Sequence, residues 1–121
     1  MQLTWLWCHN SQITDLSPLK GLPLTVLSIS GTQVSDLSPL TGMTLQVLRV
    51  NDTVVANIAP LEGMPLQTLW CHNTKVTDLS PLKAMPLKEL KCDQPVAAQN
   101  AAALRGIRTL AKINDLPPSA F

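Results

Sequence analysis

The residues best suited to metal or redox chemistry lie in a tetrapeptide that occurs twice. Trp-Cys-His-Asn stands at 7–10 and again at 70–73, and a third cysteine, Cys92, follows. Thiolates and imidazoles are ligands that zinc prefers, but structural zinc sites draw them from closely spaced pairs. The chain has no CxxC pair, and an odd number of cysteines does not indicate a disulfide framework. The recurrence therefore needs another explanation.

A histidine and an aspartate could also act together in hydrolysis. His72 and Asp93 are 21 residues apart, and they become neighbours if that separation is one structural repeat. A catalytic triad also requires a nucleophile within hydrogen-bond reach. Ser30 would lie two strands from His72, roughly 10 Å away, and Cys71 would point to the opposite face. We therefore expect a surface pair and no enzymatic activity.

A 21-residue period accounts for both spacings. Four tandem units and a partial fifth follow the pattern LxxLx(C/I/V)xx(T/S)x(I/V), and they span residues 3–23, 24–44, 45–65, 66–86 and 87–93. The cysteines occupy the position that Ile29 and Val50 hold in sister units, so we expect buried, reduced thiols. Cys71 and Cys92 would be stacked neighbours and the sole pair within disulfide reach. Three strand spacings, roughly 14 Å, separate Cys8 from Cys71, which is beyond disulfide reach. The same distance separates His9 from His72, which excludes a metal ion shared by the two histidines.

This pattern resembles the leucine-rich repeat, with Thr or Ser where Asn or Cys is usual. The resemblance covers about residues 3 to 93. Repeats of the form TDLSPLKG, followed by a tail containing Ile113-Asn114, are similar to bacterial repeat regions that accompany serine/threonine kinases and to internalin-type repeats. The chain contains no HRD or DFG motif. The resemblance therefore implies an interaction module and not a kinase.

The repeat and its resemblance predict an α/β fold. We expect a leucine-rich-repeat solenoid with a right-handed parallel β-sheet on its concave side and short helical or 3₁₀ turns on its convex side. Each Ser-Pro pair, such as Ser17-Pro18, is typical of an N-cap followed by proline at the first helical position; Ala59-Pro60 predicts a weaker cap. Asp15, its equivalents and Asn57 should bond local backbone. Ser11 and the equivalent threonines should form a hydroxyl ladder that bonds backbone between turns.

Residues 1–93 are predicted to form the repeat domain and residues 94–121 a C-terminal helical cap and tail. The alanine-rich stretch from Gln94 should form a helix of two to three turns that ends at Gly106, because alanine is the best helix former. An apolar, strand-like segment follows at 107–113. The last repeat of a solenoid needs a cover, which explains why this segment leaves the pattern.

The variable positions of the repeat predict a binding surface. Side chains between the inward-facing residues of each strand point to the concave face. All three tryptophans fall there, and Arg49 lies between Trp7 and Trp70, close enough to Trp70 for a cation–π contact. The predicted ligand-binding residues are Trp5, Trp7, His9, Arg49, Asn51, Trp70, His72, Lys91 and Asp93.

Composition excludes several other classes of partner. The chain is 45% hydrophobic with a net charge of +1, so electrostatics give no case for nucleic acid or an anionic membrane. No apolar run approaches the ~20 residues that a membrane span needs, and the first residues do not form a signal peptide. We expect a cytoplasmic location, or a fragment without its targeting segment, and no cofactor or metal.

The main hypothesis is a non-enzymatic module that binds a protein or peptide on its concave face. The alternatives are a structural fragment of a longer repeat array, as in a bacterial kinase or signalling protein, and carbohydrate binding through the Trp and His/Asn rows. A further expectation concerns the first unit, whose strand has no visible cap. Either more chain precedes it or two copies meet there as a homodimer.

Overall fold

The parallel sheet follows the 21-residue period strand for strand. The computed structural model describes residues 5–8, 12–83 and 85–114. Six short strands pair in chain order, and every neighbouring pair is parallel. They are β1 (Trp5–Trp7), β2 (Val26–Ser28), β3 (Val47–Arg49), β4 (Thr68–Trp70), β5 (Glu89–Lys91) and β6 (Lys112–Ile113). The predicted register is confirmed, since Leu27, Leu48 and Leu69 face one another across successive strands.

The hydrophobic core is a stack of leucine columns behind this sheet. The first two leucines of the second to fifth units are fully buried, as are Ile29 and Val50 at the third apolar position. Cys71 and Cys92 occupy that third position and are buried, free thiols. Cys8 is only half-buried, so the prediction of equal shielding for all three cysteines is wrong at this site. Its unit has a neighbouring strand, β2, on one side among the described residues.

The convex side consists of one 3₁₀ turn per full unit. These turns are η1 (Ser17–Leu19), η2 (Ser38–Leu40), η3 (Ala59–Leu61) and η4 (Ser80–Leu82). The expected serine N-caps are not formed, because each serine is the first residue of its turn and makes no side-chain cap bond. Instead the residue two positions earlier accepts the backbone N–H of that first residue, at 2.9 Å in every unit.

This acceptor explains why the unit without serine has the same turn. Asn57 Oδ1 accepts from the Ala59 N–H just as Asp36 Oδ1 accepts from Ser38. The third unit is therefore not weaker at its cap, contrary to expectation. The local bonding predicted for the Asp and Asn side chains is confirmed. After the first three turns Gly21, Gly42 and Gly63 adopt φ near +83°, a left-handed conformation that side chains disfavour.

The threonine hydroxyls bond backbone, but within their own unit. Thr32, Thr53 and Thr74 each donate to the carbonyl three residues earlier, at 2.6–2.7 Å. The predicted ladder between turns is therefore wrong, because the chain reverses direction after each strand and brings this nearer carbonyl within reach. Ser11 lies outside the described residues.

The C-terminal segment closes the stack with two short helices and a final strand. Helix α1 (Gln94–Gln99) and helix α2 (Ala101–Arg105) replace the single predicted helix, and α2 ends at Gly106 as expected. The break falls at Asn100, whose side chain bonds the fourth unit: Oδ1 accepts from the Leu79 N–H at 3.2 Å and Nδ2 donates to the Thr77 carbonyl at 2.8 Å.

Only the end of the predicted strand-like segment 107–113 is a strand. Its last two residues form β6 and pair with β5, while the residues before them form turns. Ile107, Leu110 and Ile113 are nonetheless buried in the common core. Thr109 donates to the Leu87 carbonyl at 2.7 Å, and Asn114 Oδ1 accepts from the Cys92 N–H at 2.8 Å. The segment therefore covers the last repeat.

Candidate functional site

The strands place one mixed column of aromatic and basic side chains on the concave face. Backbone pairing brings Trp7 opposite Ser28, Ser28 opposite Arg49, Arg49 opposite Trp70, and Trp70 opposite Lys91. Alternation along each strand points these side chains away from the buried leucines. The predicted column is therefore confirmed at every described strand from β1 to β5.

Three cation–π contacts join this column into one stack. The Arg49 guanidinium lies 4.2 Å from the centroid of the Trp70 ring and 5.2 Å from that of Trp7. The Lys91 ammonium lies 4.1 Å from the Trp70 centroid. Each such contact stabilises by about 0.5–1 kcal/mol when exposed and more when water is excluded. We call Trp7, Arg49, Trp70 and Lys91 the cation–aromatic stack.

The small side chain of Ser28 makes the longest of these contacts sterically feasible. Arg49 and Trp7 lie two strands apart, roughly 10 Å between backbones, and Ser28 stands between them. Ser28 is buried, with 3% of its surface exposed, whereas Trp7 remains 49% exposed. A long side chain on β3 therefore reaches over a short one on β2 to the edge of the described sheet.

Several polar nitrogens in this region are covered but unsatisfied. Nε of Arg49, Nε1 of Trp70 and Nδ1 of His72 have no hydrogen-bond partner among the described residues. The Trp70 and His72 rings are 6.1 Å apart and tilted by 52°. A buried donor without an acceptor costs roughly 1–3 kcal/mol. The stack therefore carries donor capacity that the described part of the chain does not use.

A second row, just beyond the strand ends, is a continuous hydrogen-bonded network. Ser30 donates to Asn51 Oδ1 at 2.7 Å, and Asn51 Nδ2 donates to Asp52 Oδ2 at 2.8 Å. Asn73 Nδ2 donates to Asp52 Oδ1 at 2.9 Å, and the Asn73 backbone N–H donates to Asp93 Oδ1 at 2.8 Å. We call Ser30, Asn51, Asp52, Asn73 and Asp93 the polar row.

The backbone turns sharply at the equivalent positions of the polar row. Asp52 and Asn73 have φ of 59° and 54°, and Gly31 at the same position of its unit has φ of 74°. Asp and Asn tolerate this left-handed conformation better than other residues with side chains. Hydrogen bonds from Asn73 and then Asn51 lower the pKa of Asp52 below its ordinary value of 3.8, so it is ionised at neutral pH.

The stack and the polar row enclose a shallow groove of about 310 Å³. The lining residues are Trp7, Ser28, Arg49 and Trp70 of the strand column and Ser30, Gly31, Asn51 and Asp52 from just beyond the strand ends. Small side chains at 28, 30 and 31 leave this space open. The predicted ligand-binding residues did not include Ser28, Ser30, Gly31 or Asp52. The signal available in the sequence was that Ser28, Ser30 and Gly31 are small in the unit that lies between those of Trp7 and Arg49.

The remaining predicted site residues fall into three groups. Trp5 projects from β1 in register with Val26 and is 61% exposed, but it does not line the groove. Lys91 and Asp93 belong to the fifth unit, one strand beyond Trp70, and the His72 ring lies 6.1 Å from the Trp70 ring. His9 lies outside the described residues, so its prediction has no structural counterpart.

The His72 and Asp93 side chains do not interact as members of a triad would. Asp93 accepts from the backbone of Asn73, and His72 Nδ1 bonds none of the described residues. Ser30, the one hydroxyl of that column, donates instead to Asn51. Within residues 5–8, 12–83 and 85–114 there is also no group of three or more His, Cys, Asp or Glu that could hold a metal ion.

Comparison with known proteins identifies the architecture. No protein-family model matches the chain, and no curated protein matches it. Among solved structures, the chain is similar to an internalin (inlF) from Listeria monocytogenes strain 4b F2365, with a TM-score of 0.70 and 20% identity; the match covers 92% of this chain and 41% of that one. It is also similar to internalin C2 (inlC2) from the same strain, with a TM-score of 0.65 and 30% identity, covering 98% of this chain and 66% of that one.

No helix in the described part of the chain is long and apolar enough to cross a membrane.

The parallel sheet and the 3₁₀ turns repeat every 21 residues, as the first four units require. Together with these structural matches, they identify the chain as a leucine-rich-repeat protein with an internalin-like architecture.

Proposed function

We propose that this chain is a non-enzymatic module that binds a protein or peptide on its concave face. The observation that carries the proposal is the cation–aromatic stack beside an open groove. Arginine and tryptophan are the residues most enriched at the energetic centres of protein interfaces. Here Arg49 is held between two indole rings at 4.2 and 5.2 Å, so little side-chain entropy remains to be lost on binding.

The exposure of two tryptophan side chains supports the same function. Trp5 and Trp7 are 61% and 49% exposed on the face that a solenoid offers to partners. Large exposed aromatic side chains on one face are typical of an interaction surface. Ser28, Ser30 and Gly31 keep the groove open on the side facing Trp7. A partner segment lying across the strands would contact several units at once.

The polar row favours a peptide over a carbohydrate. Sugar recognition relies on side-chain amides and carboxylates that are available for hydroxyl groups. Asn51 already uses its amide oxygen and nitrogen on Ser30 and Asp52, and both Asp52 oxygens accept from asparagine amides. The row therefore supports the shape of the groove more than it offers free hydrogen-bonding groups. Carbohydrate binding and a purely structural role stay as the alternatives.

A peptide-display selection tests the proposal. The immobilised wild-type chain is compared with the triple variant Trp7→Ala/Arg49→Ala/Trp70→Ala, and with Val54→Ala, which truncates an exposed residue that does not line the groove. Circular dichroism checks that each variant is folded. We expect a peptide consensus that wild type and the Val54 variant enrich and the triple variant does not.

Two results would count against peptide binding on this face. Failure of wild type to enrich any sequence over the bare support favours the structural alternative. Equal enrichment by the triple variant places binding on another surface. A glycan array run in parallel separates the carbohydrate alternative, since only that alternative predicts glycan binding that depends on Trp7 and Trp70. The cytoplasmic location and the homodimer stay as predictions that sedimentation and localisation experiments address separately.

A further inference from the structure

We infer that the groove beside Arg49 receives a carboxylate group of the bound peptide, so that the partner segment is acidic. This inference rests on the proposed function and specifies its ligand. The contacts of Arg49 within the stack are with the faces of two neutral rings, Trp7 and Trp70, and its Nε has no hydrogen-bond partner among the described residues.

The carboxylates nearest the groove already accept hydrogen bonds from amides. Asp52 lines the groove, but Oδ1 accepts from Asn73 and Oδ2 from Asn51. Asp93, at the end of the polar row, accepts from the Asn73 backbone N–H. These bonds favour the ionised form of Asp52 and lower its pKa. Asp52 and Asp93 are therefore held along the polar row, while the cations Arg49 and Lys91 lie in the stack.

Stacking determines which part of Arg49 a ligand can bind. A guanidinium has donors only in its plane, and the Cζ of Arg49 lies over the Trp70 ring at 4.2 Å and over the Trp7 ring at 5.2 Å, so both rings restrict the directions from which a ligand can approach. The in-plane fork matches the two oxygens of a carboxylate better than any other peptide group. Nε1 of Trp70 and Nε of Arg49 have no acceptor among the described residues but are covered, whereas the terminal nitrogens of Arg49 are not among these covered atoms and are the donors that a ligand in the groove can reach. The stack thus has an excess of donors, which an acceptor-only group complements.

Two neighbouring features specify the rest of the ligand. Trp7 is half-exposed at one end of the groove and offers an apolar surface to the residue flanking the carboxylate. Lys91 lies against Trp70, on the β5 side, and extends the positive charge across two further strands from Arg49. A carboxylate next to an apolar or aromatic residue is therefore the expected core of the recognised motif.

A synthetic peptide array tests this inference. Each sequence enriched by display is made as a pair that differs only by Glu or Gln, or by Asp or Asn, with both chain ends blocked. A second set compares a free C-terminal carboxylate with its amide. The arrays are incubated with wild type, with Arg49→Gln, and with Arg108→Gln, which neutralises an exposed arginine of the C-terminal segment.

On wild type and the Arg108 variant, we expect neutralising the peptide carboxylate to weaken binding roughly tenfold or more, as for a charge-assisted hydrogen bond. On Arg49→Gln the two members of a pair should bind alike. Dependence on an internal Glu or Asp assigns the site to a side chain, and dependence on the free C-terminus assigns it to a chain end. Both results support the inference.

Other outcomes overturn it. If wild type binds both members of each pair equally, and Trp70→Ala still abolishes binding, the peptide-binding function stands and the carboxylate site is wrong. If wild type binds no peptide, the inference fails together with the proposed function. The paired peptides are compared on unmodified protein, so the conclusion about the carboxylate does not depend on whether a variant folds, and circular dichroism checks that Trp70→Ala is folded.

Discussion

Arg49 reaches Trp7 over the intervening strand because the residue between them is Ser28. Its contact with Trp70 follows from the register of neighbouring strands, and the repeat predicts that register. Its contact with Trp7 depends on the length and rotamer of the side chain, which a repeat pattern does not determine. At the residue scale, the sequence thus predicted which side chains share a face but not which of them enclose a groove.

Leu48 is the central residue of the buried leucine column, and it tests the packing at the residue scale. It is fully buried on β3, between Leu27 and Leu69. We expect Leu48→Ala to reduce the free energy of unfolding by about 2–5 kcal/mol, because the lost contacts leave a cavity. Urea titration measures this change. Val54→Ala, at a side chain that is 45% exposed, should change it little; equal effects would contradict the assigned core.

The cysteines should differ in their reactivity toward a thiol reagent. Burial raises the pKa of Cys92 from 9.0 to about 11, and burial also raises the pKa of Cys71 well above 9.0. Both thiols are therefore protonated and shielded, and their modification without denaturant should be slow. Cys8 is half-buried and should react first. Mass spectrometry of a labelling time course identifies the order, and early modification of Cys71 would contradict the placement of its side chain.

The acidic residues before the 3₁₀ turns make those elements sensitive to low pH. The backbone N–H of Ser38 and then its hydroxyl lower the pKa of Asp36 below 3.8, and Ser80 lowers that of Asp78 in the same way. A carboxyl group whose pKa is lower in the folded state stabilises the fold above its unfolded pKa. That contribution is lost as the pH falls below about 3.8 toward the folded pKa.

The third unit supplies the matched control for this effect. Asn57 makes the same 2.9 Å bond with a side chain that does not titrate. We therefore expect the double variant Asp36→Asn/Asp78→Asn to stay folded and to lose less thermal stability than wild type between pH 5 and pH 2. Melting temperatures across that range measure the difference, and parallel curves for the two proteins would refute it.

Asn100 connects the C-terminal helices to the fourth unit. Its side chain bonds the Leu79 N–H and the Thr77 carbonyl, so Asn100→Ala leaves both backbone groups without this partner. We expect a loss of about 1–3 kcal/mol of unfolding free energy. Gln99→Ala, one residue earlier and exposed, is the control. Equal stability of the two variants in urea titration would show that this connection contributes nothing.

The elements were predictable to different degrees for physical reasons. Strands and turns of the repeats follow from hydrophobic periodicity and proline positions, which recur in every unit. The serine caps were mispredicted because each turn begins at the serine itself, and the N–H groups that its hydroxyl would bond, such as those of Leu40 and Thr41 after Ser38, bond backbone carbonyls instead. The break at Asn100 was missed because alanine propensity favours one helix, whereas the side chain of Asn100 bonds a neighbouring unit far away in sequence.

At the scale of the whole molecule, the binding face is a property of several repeats and of no single one. The cation–aromatic stack takes one residue each from β1, β3, β4 and β5, and the unit containing β2 contributes the small side chain that opens the groove. Each unit contacts mainly its neighbours, as in other solenoids. A substitution that shifts one unit should therefore disturb binding through the alignment of adjacent units.

We propose that a partner binds on the face that carries Trp7, Arg49 and Trp70. Nuclear magnetic resonance of the ¹⁵N-labelled chain tests it most directly, because indole and guanidinium N–H groups report on the stack itself. During titration with the display-selected peptide, we predict that the Trp7 and Trp70 indole signals and the Arg49 Nε–H signal shift, while the backbone amides of Gly42 and Gly63 on the convex side stay in place. Shifts confined to the convex turns or to the C-terminal helices, with the indole signals of Trp7 and Trp70 unchanged, would show that the peptide does not bind on this face.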